Sequence, residues 1–142
     1  MVKLPTVGLL MIQNRKLLLA YSRNKKCFYL PGGKIDEGET AAMALCREIV
    51  EEMNITIDQD ELKYHTHITA PAYGEEDGII MEQDCFFLHR NVAPQAFAEI
   101  GELYTITHEE MLFIVEKLEK INTKRRFKVS RTENYSVIWR VK

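Results

Sequence analysis

The chain has 142 residues, of which 46% are hydrophobic and 28% charged, and this size and composition predict one globular domain with a sizeable core. Its formal net charge of −2 excludes a broadly basic binder of nucleic acids or membrane surfaces. No apolar run approaches the ~20 residues of a membrane-spanning helix. We therefore expect a single domain over residues 1–142, with no signal peptide, no membrane contact and no stable nucleic-acid complex, as a monomer or a homodimer.

The three cysteines indicate a reducing compartment. Cys27, Cys46 and Cys85 are odd in number and widely spaced, whereas a disulfide framework or a zinc site needs paired or clustered ligands. We expect free thiols and a cytoplasmic location.

The first elements in the chain are two short apolar runs, residues 7–12 and 16–21, separated by Asn14 and Arg15. The brief runs and the polar residues between them predict a β-hairpin that belongs to the central sheet. The following loop is polar and basic, so its simplest role is solvation. The alternative is that one of its cations faces substrate phosphates. Those cations are Arg23, Lys25 and Lys26.

A strand, a glycine turn and a helix come next. Residues 27–30 are β-prone and lead into Pro31, Gly32 and Gly33. Two glycines permit a sharp turn and a close approach of the backbone to an ion or phosphate. After a short loop, Thr40 is a good N-cap, and the apolar periodicity predicts a helix over about 41–53.

Three glutamates of this helix, Glu48, Glu51 and Glu52, fall within an arc of roughly 100°, because residues i, i+3 and i+4 lie one above another. An acidic helix face is usually just solvated. Here, however, the like charges repel one another, and a divalent cation would remove that cost. Ionised carboxylates are hard ligands that suit Mg²⁺ or Mn²⁺. The neighbouring arc, expected to be buried against a sheet, comprises Ala42, Leu45, Cys46, Ile49 and Met53.

The second half of the chain predicts a long hairpin with strands at 62–69 and 79–90. His65 and His67 should point to the same side of their strand by the period of two. A structural role for both is favoured over metal ligation, because no Cys or third His completes a set with zinc spacing. The acidic residues 75–77 in the connecting loop are expected to form a solvated turn, or alternatively to close over a substrate.

Towards its end the chain predicts one more strand, one more helix and a basic extension. The strand spans 99–107, and an amphipathic helix spans about 108–121. The extension, 123–142, contains the β-prone stretch 135–141, which predicts an edge strand. A dimer contact or an anion-attracting rim is its alternative role.

Around the acidic helix the sequence resembles the Nudix hydrolase signature, which is a glycine, five residues, a glutamate, seven residues and then R-E-U-x-E-E-x-G-U, with U bulky and aliphatic. The residues that match are Gly33, Glu39, Arg47, Glu48, Ile49, Glu51, Glu52 and Ile55. One position departs, because Asn54 stands where the signature has its second glycine. After Gly, Asn best tolerates the left-handed conformation, so we expect a left-handed Asn54 that preserves the helix cap.

The resemblance implies an α/β (α+β) fold in which a central mixed β-sheet is sandwiched between helices at about 41–53 and 108–121, on opposite faces. The implied activity is metal-dependent cleavage of the diphosphate linkage in a nucleoside diphosphate derivative. The single-domain, MutT-like layout favours a nucleoside triphosphate, split to monophosphate and pyrophosphate. The alternatives are a nucleotide sugar of the ADP-ribose type, a non-hydrolytic nucleotide-binding module and a purely interacting domain. No residue identifies the base.

The resemblance also implies which residues do the chemistry. Glu48, Glu52 and the Gly32 carbonyl would hold Mg²⁺ or Mn²⁺ as the cofactor. Glu51 would either share a second metal or act as the base toward the attacking water.

Two further expectations are carried by the resemblance. Glu39 and Arg47, together with Gly33, would brace the loop against the helix. An additional carboxylate would come from Glu99 or Glu102, to bind metal or orient water, and Glu102 is preferred.

Overall fold

The structure, a computed structural model of the chain, describes most of the first 90 residues and parts of the remainder. The described residues are 2–13, 16–23, 27–72, 75–88, 90, 100–107, 109, 127–131 and 136–140.

Ten strands, one α-helix and one short 3₁₀ helix make up the described fold. The strands are β1 (Val2–Leu10), β2 (Ile12–Gln13), β3 (Lys16–Ser22), β4 (Cys27–Tyr29), β5 (Gly32–Lys34), β6 (Leu62–Pro71), β7 (Ile79–Leu88), β8 (Ile100–Thr107), β9 (Phe127–Arg131) and β10 (Ser136–Arg140). The α-helix, α1, spans Ala41–Met53, and the 3₁₀ helix spans Gln59–Glu61.

The strands form three sheets. The first has the order β5-β1-β7-β6 and is mixed, since β1 runs parallel to β7 while the other two pairs are antiparallel. In the second sheet β3 pairs with β2, β4 and β8, always antiparallel. Strands β9 and β10 pair with each other. The mixed sheet and its packed helix confirm the predicted α+β class.

The predicted hairpin of residues 7–12 with 16–21 is wrong for most of its first run. Residues up to Leu10 belong to β1 in the first sheet, and only β2 pairs with β3. The chain changes sheets at Met11, which is buried and whose carbonyl accepts a hydrogen bond from Leu18 N at 2.9 Å. A run that is apolar on both faces suits an interior strand with two neighbours better than one arm of a hairpin.

Helix α1 begins and ends where the sequence predicts. The Thr40 side chain accepts a hydrogen bond from Met43 N at 3.2 Å, which satisfies one of the unpaired donors of the first turn. Asn54 follows the last turn with φ 53° and ψ 40°, and its N–H donates to Val50 O at 3.0 Å. The predicted left-handed Asn54 is therefore confirmed.

Two apolar clusters fix the site. The first cluster lies beneath α1, where the buried face of the helix packs on the first sheet and on β3. It includes Val7, Leu9, Leu18, Ala44, Leu45, Ile49 and Met53. Of the arc predicted to be buried, Ala42 and Cys46 are only half-buried. The other cluster joins the two large sheets and contains Leu10, Leu17, Leu30, Ile68 and Cys85. Each fully buried Leu or Ile contributes about 2 kcal/mol of transfer free energy, so α1 is held rigidly.

The predicted long hairpin is confirmed as β6 and β7, with a register shift between Tyr64 and Thr66. The predicted helix at 108–121 lies almost entirely outside the described residues, so its position against the sheet stays a prediction. The β-prone stretch 135–141 contains β10, which pairs with β9. Among the described residues, no helix is long and apolar enough to cross a membrane.

Candidate active site

The candidate site is built on a glycine strand rather than on the predicted turn. Gly32 and Gly33 lie in β5 and pair with β1, with Gly32 opposite Gly8. The neighbouring pair, Leu9 and Pro31, is hydrogen-bonded, since Leu9 N donates to Pro31 O at 2.7 Å. Hydrogen-bonded and non-bonded pairs alternate in an antiparallel ladder. Gly32 therefore turns both its N–H and its carbonyl away from β1, to the edge of the sheet.

Both glycines are required by close approaches. A Cβ on Gly32, whose φ is +147°, would lie 2.0 Å from the Val7 carbonyl oxygen. A Cβ on Gly33 would lie 2.4 Å from Cδ of Glu48. The first approach is to a fixed backbone atom, whereas the second is to the end of a side chain. The Glu48 carboxyl group thus occupies the space that a side chain at residue 33 would need.

Glu52 is the carboxylate that α1 brings to the edge of β5. It is only 4% exposed, and its Oε2 accepts a hydrogen bond from Gly32 N at 3.1 Å. A buried carboxylate needs such compensation, because an isolated charge is costly to desolvate. Glu52 lies between Ile49 and Met53 on the packed side of the helix, so its position is fixed by the core.

Arg47 ties several acidic side chains to the loop before the helix; we name this set the Arg47 cluster. Its guanidinium binds Glu39 through two bonds, 2.7 Å from Nε and 2.9 Å from Nη2. The remaining partners are Glu48 Oε1 at 2.9 Å, Lys34 O at 3.1 Å, Asp36 Oδ2 at 3.4 Å and Glu51 Oε1 at 3.5 Å. The ion pair expected from the resemblance, Glu39 with Arg47, is therefore present.

The electrostatics of the cluster follow from these contacts. The side-chain hydrogen bond from Arg47 lowers the pKa of Glu39 to about 2. The same bond raises the pKa of Arg47. Burial raises the pKa of Glu48, and the Arg47 bond opposes this shift. Glu39 and Arg47 are thus charged at any physiological pH, and at Glu48 the Arg47 guanidinium opposes the effect of burial on the pKa.

The three helix glutamates do not form one uniform acidic face. Glu52 is buried, Glu48 is half-buried and Glu51 has a side chain that is 54% exposed. The i, i+3 spacing places Glu51 near the other two, but only Glu48 and Glu52 lie against β5. Within the described part of the chain, no three His, Cys, Asp or Glu side chains are grouped so that they could hold a metal ion by themselves.

The donors around β5 nevertheless fit a hard divalent cation. The carboxylates of Glu48 and Glu52 and the outward carbonyl of Gly32 are oxygen ligands, and a Cβ on either glycine would intrude. Mg²⁺ typically takes one or two protein carboxylates and completes its shell with water and substrate phosphates. A partial protein ligand set at a sheet edge therefore matches this ion better than a closed cage would.

Other predicted site residues are described only in part. Glu102 is the Cα partner of Tyr21 in the pairing of β8 with β3, and Glu99 lies outside the described residues, so the roles of both stay predictions. Arg23 is exposed, and Lys25 and Lys26 lie outside the described residues.

The acidic loop between β6 and β7 contacts the strand that carries the site. Glu75 forms an ion pair with Lys34 Nζ at 3.3 Å. A closing movement of this loop stays a prediction.

A second charged cluster was not foreseen in the sequence. We name it the His67 cluster. His67 Nδ1 lies 2.8 Å from Asp84 Oδ1, its Nε2 lies 2.5 Å from Glu82 Oε2, and Thr69 Oγ1 donates to Glu82 at 2.7 Å. The contacts to both carboxylates raise the pKa of His67. The alternating acids at 82 and 84, opposite a histidine on a paired strand, were the available signal.

The expectation that His65 and His67 point to the same side is wrong. His65 packs on Phe87, with ring centroids 4.6 Å apart, whereas His67 contacts Asp84. Phe87 and Asp84 are three residues apart on β7 and so lie on opposite faces. The register shift at residue 65 inserts one residue and breaks the period of two.

Fold and site together define a small α+β protein in which a packed helix delivers carboxylates to a glycine strand. A family model described as NUDIX domain matches residues 2–131. The chain belongs to the Nudix hydrolase family. No curated protein sequence matches it.

Several solved structures share the fold. A MutT NUDIX hydrolase from Burkholderia pseudomallei is 20% identical with a TM-score of 0.66, covering 77% of this chain and 86% of its own. A C. elegans Ap4A hydrolase binary complex is 21% identical with a TM-score of 0.58, covering 84% and 90%. A bifunctional NMN adenylyltransferase/ADP ribose pyrophosphatase from Francisella tularensis, complexed with AMP and Mn ion, is 20% identical with a TM-score of 0.57, covering 84% and 42%. At these identities the likeness establishes the fold alone.

Proposed function

We propose that this protein is a Mg²⁺- or Mn²⁺-dependent hydrolase that splits a nucleoside triphosphate into a nucleoside monophosphate and pyrophosphate. The observation that carries the proposal is the placement of Glu48 and Glu52 against the Gly32–Gly33 strand, with the Gly32 carbonyl turned outward beside them. This arrangement offers hard oxygen atoms at an open sheet edge, where the phosphates of a substrate can complete the coordination of a cation.

When bound, the cation would neutralise charge on the diphosphate and orient it for attack by water. Glu48 and Glu52 would hold it, together with the carbonyl of Gly32. Arg47 then has a different task, because its bonds to Glu39, Asp36 and the Lys34 carbonyl fix the loop between the glycine strand and α1. The site is thereby held in position before substrate arrives, which is what efficient positioning requires.

Glu51 is our candidate for the base that takes a proton from the attacking water. Its side chain is 54% exposed and lies on the same helix face as Glu48, one turn on. An exposed carboxylate can exchange its proton with solvent, whereas the buried Glu52 is committed to the Gly32 N–H. Glu102 stays the candidate for orienting that water, through its place opposite Tyr21.

The proposal is tested by a product screen. Purified protein is incubated with nucleoside triphosphates and with nucleotide sugars, including ADP-ribose, in Mg²⁺, in Mn²⁺ and in EDTA. We expect monophosphate and pyrophosphate from at least one triphosphate, with turnover abolished by EDTA. Turnover confined to ADP-ribose would replace the proposed substrate by that of the Francisella tularensis ADP ribose pyrophosphatase. Binding without turnover in either metal would favour a regulatory module.

A further inference from the structure

The face of the first sheet opposite α1 contains a buried amide. Gln83 on β7 is 6% exposed, and its neighbour two residues on, Cys85, belongs to the apolar cluster between the two large sheets. The side chain of Gln83 covers Gly8 of β1, since a Cβ on Gly8 would lie 3.1 Å from both Cδ and Oε1 of Gln83. The amide thus lies beside an apolar cluster and next to Thr6, which is also buried.

The hydrogen bonds of this amide are incomplete. Its Oε1 receives only the Cys85 thiol, at 3.8 Å, and a thiol is a weak donor. Burial raises the pKa of Cys85 to about 12, so the thiol stays protonated and no charge strengthens the contact. Among the described residues, the Nε2 of Gln83 donates to no acceptor. Of the residues that the structure describes, the only fully buried side-chain N or O atom without a partner is Nε2 of His65, so the Nε2 of Gln83 keeps contact with solvent and can donate to a ligand.

Gln83 is close to the candidate site. Gly8 lies opposite Gly32 in the pairing of β1 with β5, and β1 is also the neighbour of β7, with Thr6 opposite Gln83. Gln83 and Gly32 are therefore two strand spacings apart across the sheet and two residues apart along it, roughly 12 Å between backbones. Glycine at residue 8 leaves the sheet without a side chain on the path between them. A nucleotide with its phosphates at Gly32 can place its base over this path.

We propose that Gln83 is a specificity-determining residue that recognises the nucleobase of the substrate through its side-chain amide. The ligand moiety is a base that presents a hydrogen-bond acceptor and a donor on neighbouring atoms, the pattern that glutamine reads in adenine. This inference rests on the proposed function for the identity of the ligand as a nucleotide. A site built to hydrogen-bond a substrate rejects analogues that lack the matching group, so Gln83 sets which bases are accepted.

The test measures equilibrium binding of nucleoside monophosphates carrying each of the common bases, in EDTA, so that it requires neither metal nor turnover. The wild-type protein is expected to discriminate between its best and worst base by at least ~10-fold in Kd. Gln83→Met, which keeps the volume and removes both polar atoms, should reduce that ratio to about twofold or less. Gln59→Met is the matched control, because Gln59 is exposed on the 3₁₀ helix, and it should leave the ratio unchanged.

A second variant keeps the inference testable if Gln83→Met does not fold. Gly8→Ala retains the amide but adds a Cβ 3.1 Å from it, which should displace the amide and lower the same ratio at least threefold. Equal affinities of the wild-type protein for all bases, or an unchanged ratio in a folded variant, would overturn the inference. Discrimination without hydrolysis would uphold Gln83 and overturn the proposed reaction, whereas hydrolysis without discrimination would do the opposite.

Discussion

The Arg47 cluster and the His67 cluster use different cations for the same task, which is to hold several carboxylates together. In the first, a guanidinium joins residues that all lie within 13 positions of Arg47 along the chain. In the second, an imidazole joins two strands across 15 and 17 positions. Arginine keeps its charge at any physiological pH, but histidine loses its charge within the range that cells experience. The candidate site is thus braced independently of pH, and the β6–β7 hairpin is not.

The contrast teaches where rigidity is needed. In the proposed site, Glu48 and Glu52 would hold a cation together with a backbone carbonyl, and an error of about 1 Å would degrade such a site. The Arg47 cluster and the helix core remove that freedom. The His67 cluster lies on exposed and half-buried positions of a hairpin, and it contains none of the residues of the proposed site. The following predictions test this division, beginning with the largest effect.

Substitutions of the two glycines of β5 should distinguish effects on stability from effects on turnover. Gly32→Ala places a Cβ against a backbone oxygen at positive φ, and we expect a loss of more than ~3 kcal/mol of unfolding free energy. Gly33→Ala meets only the end of the Glu48 side chain. It should therefore melt near the wild-type temperature but lose about tenfold or more in turnover, as the carboxylate is displaced. Thermal melts and product assays distinguish the two, and equal melting of both variants would contradict the geometry.

Glu52→Gln should lower turnover by at least ~10²-fold, because it removes a charged ligand without opening a cavity. The amide oxygen can still accept the Gly32 N–H, so the melting temperature should change little. Glu48→Gln should behave likewise. Turnover is measured at saturating Mg²⁺ and again across a Mg²⁺ titration. Wild-type turnover and metal dependence in Glu52→Gln would show that the proposed site is wrong.

Arg47→Lys tests whether the brace is geometric as well as electrostatic. Lysine keeps the charge but cannot make the paired bonds to Glu39 or reach several partners at once. We expect a loss of about 2 to 3 kcal/mol in stability and about tenfold in turnover.

Arg90→Lys is the control for that experiment. Arg90 also binds a glutamate and a carbonyl, Glu61 at 2.8 Å and Thr56 O at 2.8 Å, and neither partner belongs to the Arg47 cluster. It should lose stability without losing turnover per folded molecule. An equal fall of turnover in both variants would show that the Arg47 cluster acts only on the fold.

Asn54 provides a smaller test at the other end of the helix. Asn54→Gly should be neutral or slightly stabilising, because glycine adopts φ 53° without a Cβ penalty. Asn54→Val should cost about 1 to 3 kcal/mol, since a β-branched residue is disfavoured there. The cap closes the turn that carries Glu51 and Glu52, so turnover should fall with stability. Equal melting temperatures for the two variants would exclude strain at this position as a determinant of stability.

Local sequence carries the helix, its caps and the Arg47 cluster, and for that reason they could be predicted. Thr40, Asn54 and the Glu39–Arg47 pair depend on neighbours within a dozen residues. The partner of β1 could not be predicted in this way, because residues 7–12 are apolar enough for either sheet and the choice is made by β7, more than 70 residues away. Gly32 is a strand residue because β5 pairs with the other edge of β1, so the turn expected there was wrong.

Contacts between side chains on neighbouring strands could not be predicted from the sequence either. The His67 cluster and the contacts of the Gln83 amide depend on the register between strands. Because the register shifts at residue 65, the alternation of side chains with a period of two does not predict it. Burial of Glu52 could not be read from charge spacing either, because it depends on how α1 is rotated against β5.

The smallest predicted effect belongs to His67. Its pKa is raised by the bonds to Asp84 and Glu82, so the folded state holds the proton more tightly than the unfolded chain does. The stabilisation is therefore complete below the ordinary value of about 6.5 and is lost as the pH rises through the raised folded pKa. The pKa of Glu82 is lowered by the same contact, so its contribution is present above about pH 4.5 and falls away below.

Melting temperatures of the wild-type protein and His67→Gln should consequently differ most near pH 5.5 to 6 and converge toward pH 9. Exposed pairs are weak, so the largest difference should be only about 2 °C. Adding 0.5 M NaCl should shrink it further, because the cluster is accessible to screening ions. The stability difference between wild-type protein and Arg47→Lys should show no such decline between pH 6 and 9, since both side chains stay charged there. A His67→Gln difference that grew with pH would mean that the neutral imidazole, not the imidazolium, holds the hairpin.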